Sequence, residues 1–139
     1  MKHTIFALAM LATAPASADT LIVHNDPGGR VDLRATMIQG IAATGHRVEI
    51  RGEYCNSACT MYLGLANLCA EPGVVFGFHA ATNARDGKIL QFWNAVMAAH
   101  YPEPVANWFY KHAAHVTPGL VRLRGADMIR LGFVSECEQ

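Results

Sequence analysis

Thr20-Leu21-Ile22-Val23-His24 is a short β-rich run, and Asn25-Asp26-Pro27-Gly28-Gly29 stops it with turn-forming residues. From Arg30 to Thr44 the apolar positions Val31, Leu33, Met37, Ile38, Ile41 and Ala42 follow a helical period, and Gly45 stands where a helix C-terminal glycine belongs. Arg47 to Arg51 reads as a second strand, with Val48 and Ile50 on one face. Strand, turn, helix and strand in this order form a βαβ unit, which calls for parallel strands joined by a right-handed crossover.

Reading outward, Gly52-Glu53-Tyr54-Cys55-Asn56 is expected as a polar loop leading into Ser57. From Ser57 to about Asn67 the chain is small and apolar (Ala58, Met61, Tyr62, Leu65), as suits a buried helix. Val74-Val75-Phe76-Gly77-Phe78 reads as a third strand ending at His79. A loop from Thr82 to Lys88 precedes a helix expected over Ile89 to His100. Pro102 and Pro104 break it, and Val105 to His115 reads as another. Ala126 to Leu131 makes a last short helical turn, and Phe133-Val134 a closing strand. The expected class is α/β with a parallel sheet. In open sheets of that kind ligands bind beyond the C-terminal strand ends. Asp26 to Gly29, Cys55 to Ser57 and His79 all follow such ends, so they converge on one edge.

Lys2, the apolar run Ile5 to Ala12 and the small-x-small Ala16-Ser17-Ala18 have the order of a secretory signal, with the mature chain starting at Asp19. The apolar run is shorter than the roughly 20 residues that span a bilayer. Residues 1–18 are thus expected as a signal peptide and 19–139 as one domain of ordinary size. Without Lys2 the mature part carries ten Lys and Arg against eleven Asp and Glu, a formal charge of −1. With no basic stripe, nothing points to nucleic acid or to an anionic membrane. No later run is long enough to cross a membrane. The expected location is periplasmic or secreted, with no membrane attachment after cleavage. Cys55, Cys59, Cys69 and Cys137 all lie in the mature part, and in an oxidising compartment an even count suggests disulfides. Three pairings are open for four cysteines. A metal site of Cys55, Cys59 and Cys69 with His79 is the rival, since its spacing is permissible for zinc.

Ser57 falls at a loop-to-helix junction. A serine hydroxyl becomes a useful nucleophile only when a base takes its proton and donors receive the developing oxyanion. The start of the following helix offers free N–H groups, making Ala58 N–H a natural donor. Gly28-Gly29 can bring a second N–H close, because glycine lets backbone approach substrate. His79 suits the general base. The plainer readings are an N-cap at Ser57 or Asn56, a simple turn at Gly28-Gly29 and a hydrogen-bonded histidine at a strand end. No G-x-S-x-G elbow is present.

Taken together, Asp26-Pro27-Gly28-Gly29, Tyr54-Cys55-Asn56-Ser57-Ala58-Cys59, Val75-Phe76-Gly77-Phe78-His79 and Gly125-Ala126-Asp127-Met128-Ile129-Arg130-Leu131-Gly132-Phe133-Val134 resemble the proteolytic subunit of Clp protease. The resemblance to this ClpP/crotonase superfamily runs from about Leu21 to Val134. It implies a ββα-type fold, an exported serine peptidase with Ser57 as nucleophile, His79 as general base, and Gly29 and Ala58 as oxyanion-hole donors. It implies a peptide or protein substrate, no cofactor and no metal, and self-association into a homo-oligomer. It also implies Cys69 paired with Cys137, because their segments would be neighbours in such a fold. Two departures stand out. Where the family carries its acidic triad member this chain has Thr117-Pro118-Gly119-Leu120, with Asp127 and Asp86 as poorly matching alternatives. The strand and helix that precede the Pro-Gly-Gly strand are missing, which shortens the fold at its N-terminus and leaves a sheet edge open or covered by a partner. A catalytically inactive ClpP-like binding or assembly module is the competing expectation.

His112 and His115 sit three apart on an expected helix, where a solvated face outweighs a shared metal. Phe92, Trp93, Trp108, Phe109 and Tyr110 are expected in the core or on a dimer face, with a substrate wall as the lesser reading.

Overall fold

The computed structural model describes residues 19–139, so the expected signal peptide lies outside the described residues. Strands β1 (Thr20–Asp26), β2 (Arg47–Asn56), β3 (Leu68–Ala70), β4 (Val75–Phe78), β5 (Val121–Arg124) and β6 (Ser135–Glu136) form one sheet. Helices α1 (Val31–Thr44), α2 (Gln91–Ala99), α3 (Glu103–His112) and α4 (Gly125–Arg130) and a 3-10 helix (Ser57–Gly64) surround it. The α/β class is as expected, but the sheet is mixed. β1, β3 and β4 run parallel to β2, and β6 parallel to β3, whereas β5 is antiparallel to β4.

The expected loop from Gly52 to Asn56 is instead the second half of β2. Its length has a topological reason. β1 lies along one side of β2; the other side is shared, with β3 opposite Val48–Ile50 and β4 opposite Tyr54–Asn56. Between these halves the β1–β2 register shifts at Asn25, and Gly52 takes a φ of 85° where His24 and Asn25 press close. The bulge re-aims the strand toward Ser57. Among the described residues β1 pairs only with β2 and so forms a sheet edge.

Arg34, Ile38 and Ile41 give α1 its buried face, a spacing of four and three residues. Leu33 and Met37, expected on the apolar side, are exposed. Gly45 ends the helix in the left-handed region, φ 70°, its N–H donating to Ile41 O. Pro104 does not break a helix: it occupies the first turn of α3, where a missing N–H costs nothing. The helix expected after Ser57 is a tight 3-10 segment, and Gly64 permits its close approach to the α2 end, for a Cβ there would lie on His100 O. Phe76, Phe78, Phe109, Ile50, Met61 and Met97 fill the space between sheet and helices. Each such side chain contributes roughly 1.5–3 kcal/mol by leaving water.

All four cysteines are paired, Cys55 with Cys59 and Cys69 with Cys137. The second bridge follows from β6 lying beside β3, which sets Ser135 opposite Cys69 and brings Cys137 alongside. With every thiol oxidised, the alternative cysteine metal site has no thiolate to offer. Paired cysteines fit an oxidising compartment. Among the described residues no helix is long and apolar enough to cross a membrane.

Candidate functional site

Ser57 Oγ lies 2.8 Å from His79 Nε2, the distance of a true hydrogen bond. The two residues are 22 apart in sequence, yet each follows a neighbouring parallel strand. Asn56, last in β2, is opposite Gly77 in β4, and both chains then leave the sheet at the same end. The Asn56 side-chain amide fills the space beside Gly77, where a Cβ would fall 2.2 Å from Asn56 Oδ1.

Ser57 has φ 55°, a conformation that costs a non-glycine residue about 1–2 kcal/mol. Neighbours hold it there. Cys55 and Cys59 bridge across it, β4 pairs with the residue before it, and Thr60 Oγ1 donates to Ser57 O at 2.7 Å. This left-handed serine stands at the sharp turn between β2 and the 3-10 helix, and its Oγ reaches His79 Nε2. Where a G-x-S-x-G pattern would place its two glycines this chain has Cys55 and Cys59, which are bridged to each other across the turn and fully buried.

His79 is fixed through the residues after it. Ala80 N–H donates to Val116 O, Ala81 N–H to Asn94 Oδ1 at 2.7 Å, and Leu90 N–H to Ala81 O. Fully buried Asn94 completes the brace by donating from Nδ2 to Ala114 O at 2.8 Å. Burial pushes the His79 imidazolium pKa below its ordinary value, partly offset by a backbone contact at Ala80. At neutral pH the ring is therefore uncharged and able to accept a proton.

A pocket of about 530 Å³ opens in front of the pair. Gly29, Val31, Ala81, Leu90 and Trp93 contribute to its mainly apolar wall, with Asp32 and Asn83 also lining it. Gly29 lines the same pocket as Ser57 and His79. Gly28 lies behind, so close to the serine turn that a Cβ would sit 2.7 Å from Ser57 Cβ and 3.1 Å from Ala58 N. Ala58, fully buried, belongs to the first turn of the 3-10 helix, whose leading N–H groups have no partner within it.

The proposed acids are elsewhere. Asp86 sits in an exposed loop and pairs with Lys88; Asp127, on α4, pairs with Arg130 at 2.8 Å. Among the described residues no carboxylate is hydrogen-bonded to His79. Asp32 lines the pocket, but its carboxylate is held by Arg30 at 2.5 Å, which lowers its pKa. Sequence reading passed over Asp32, Asn83 and Leu90 because nothing local distinguishes them. Trp93, expected in the core or on a dimer face with a substrate wall as the lesser reading, packs against the core and also lines the pocket; Phe109 is core, while Phe92 and Tyr110 are exposed. His112 stacks near Trp108 at 5.2 Å, and His115 is exposed. Among the described residues no group of three or more His, Cys, Asp or Glu side chains is arranged to hold a metal ion.

No protein-family model matches this chain, and no curated protein matches its sequence.

Proposed function

We propose that this protein is an exported serine hydrolase, a peptidase working by acyl transfer on peptide or protein substrates in the periplasm or outside the cell. The observation that carries the reading is the 2.8 Å contact between Ser57 Oγ, on a left-handed serine, and His79 Nε2, on a half-buried ring whose pKa burial lowers. His79 takes the Ser57 proton as Oγ attacks the substrate carbonyl. The oxyanion develops between Gly29 N–H and Ala58 N–H. His79 then protonates the leaving amine, and a water repeats the sequence to free the enzyme. With no carboxylate hydrogen-bonded to His79 among the described residues, the pair acts as a dyad, slower than a triad because the third group mainly holds the tautomer. A ClpP/crotonase-like fold is part of the proposal. It is supported by the order of the Pro-Gly-Gly turn, the serine helix and the histidine strand along parallel strands.

The bare imidazole favours a second reading, an inactive ClpP-like binding or assembly module. A fluorophosphonate serine probe separates the two when applied to the purified mature protein beside Ser57→Ala and His79→Ala. Labelling that disappears in both variants supports the hydrolase. A folded protein that takes no label leaves the binding module.

A further inference from the structure

We propose that Arg34, anchored by Asp26, is a positioning residue for the oxyanion hole: it fixes the Gly28–Gly29 peptide so that Gly29 N–H faces the pocket at Ser57. The inference rests on the acyl-transfer reading above and names what holds one of its donors.

Arg34 Nη2 lies 2.7 Å from Asp26 Oδ2, and the two side chains are only 10% and 16% exposed. The pair encloses the glycine turn. Gly28 N–H donates to Asp26 Oδ1 at 2.7 Å, and Arg34 Nη2 approaches Gly28 O at 3.4 Å. Both polar groups of Gly28 thus end on one ion pair. In a trans peptide the carbonyl and the following N–H point to opposite sides. Drawing Gly28 O toward Arg34 therefore turns Gly29 N–H away from it. Gly29 lines the Ser57 pocket, and nothing lies within 4 Å of where a Cβ on it would be.

Two adjacent glycines would not hold that orientation unaided. Gly28 and Gly29 have φ of 101° and 126°, a region glycine enters and leaves freely, so the constraint has to come from outside. The guanidinium is itself held, 4.7 Å from the ring centroid of Tyr62 on the 3-10 helix that begins at Ser57. One side chain thereby ties the glycine turn to the serine helix, the two segments that must meet around an oxyanion. A buried ion pair is poor stabilisation, because desolvation offsets much of its attraction. Arg34 does not line the pocket, so its influence on the chemistry runs through Gly29.

The test uses the intact mature protein and three changes: Arg34→Met, Arg34→Lys and the charge-free double Asp26→Asn/Arg34→Met, which avoids stranding a buried carboxylate. The inactivation rate constant and the reversible binding constant of the fluorophosphonate are measured separately. The Gly28 carbonyl carbon and Gly29 amide shifts are followed by NMR, with Gly45 as reference. The rate constant should fall about 10- to 100-fold in Arg34→Met and in the double variant, part of the full loss of an oxyanion donor, with binding changed less than about twofold. Arg34→Lys should recover part of the rate, and the Gly28 and Gly29 signals should move while Gly45 stays. A wild-type rate constant in Arg34→Met, or unmoved Gly28 and Gly29 signals, overturns the inference alone. Loss of binding and rate together, with every glycine signal shifted, reduces Arg34 to a structural role and overturns it too. A wild-type protein inert to the probe removes the acyl-transfer reading and the inference with it.

Discussion

Gly28 and Ser57 meet with no room for a side chain between them. A Cβ on Gly28 would lie 2.7 Å from Ser57 Cβ and 2.6 Å from Asn56 O. Both residues have positive φ, 101° and 55°, and each stands just past the end of one of two paired parallel strands. The tight turn after β1 is thus shaped against the tight turn after β2, and Ser57 lines the pocket that opens in front of them.

Gly28→Ala and Gly29→Ala should therefore differ. Both incur a backbone cost of about 1–3 kcal/mol. Only Gly28→Ala adds a collision with Ser57 and Asn56, worth a further 1–3 kcal/mol or so. Urea unfolding of the two variants measures the gap, and equal stabilities would refute the packing argument.

The pH dependence of Ser57 labelling should follow His79. Its pKa is lowered by burial, so the neutral, proton-accepting ring dominates above that lowered value and is lost as pH falls through it. The rate should climb with a midpoint below the ordinary histidine value of about 6.5 and stay level through neutrality. The same shift makes protonation harder in the folded than in the unfolded chain. His79 therefore lowers stability as pH drops below the unfolded value, and His79→Gln should remove that part of the acid sensitivity. A midpoint above 6.5 would contradict burial as the controlling cause.

The disulfides should divide into one that stabilises the fold and one that shapes the site. Cys69 and Cys137 are 68 residues apart, and chain entropy gives that closure about 4 kcal/mol. Cys55 and Cys59 are 4 apart, which gives about 2 kcal/mol by the same relation. Cys69→Ser/Cys137→Ser should lower the urea midpoint more than Cys55→Ser/Cys59→Ser. The second variant should instead lose more of its labelling rate, since its bridge spans the left-handed serine. Denaturation and labelling of both variants decide this, and the reverse order would count against it.

Asn94→Ala should destabilise the chain by about 2–4 kcal/mol. It leaves Ala81 N–H and Ala114 O without their buried partner. Ala81 is two residues past His79, so labelling should slow as well. A thermal midpoint within a degree or so of wild type would show that water replaces the amide.

Much of the βαβ unit was legible because its signals are local: β-branched residues in β1, a helical period in α1 and Gly45 at its end. Ser57, His79, Gly29 and Ala58 were singled out for the same reason, since each follows a strand or opens a helix. Strands β3 and β5 escaped notice, being only three and four residues long and dependent on their neighbours for hydrogen bonds. The second half of β2 looked like a loop because Gly52, Glu53 and Asn56 are poor strand formers; pairing with β4 overrides that preference. Residue types and short-range periodicity settled the α/β class, the succession of main elements and the presence of four cysteines within residues 19–139. The antiparallel β5, the sharing of β2 between two partners, the left-handed turn at Ser57, the ion pair around Gly28 and the placing of Asp86 and Asp127 away from His79 were decided by tertiary structure alone. They depend on contacts between segments distant along the chain, whose geometry no local pattern encodes.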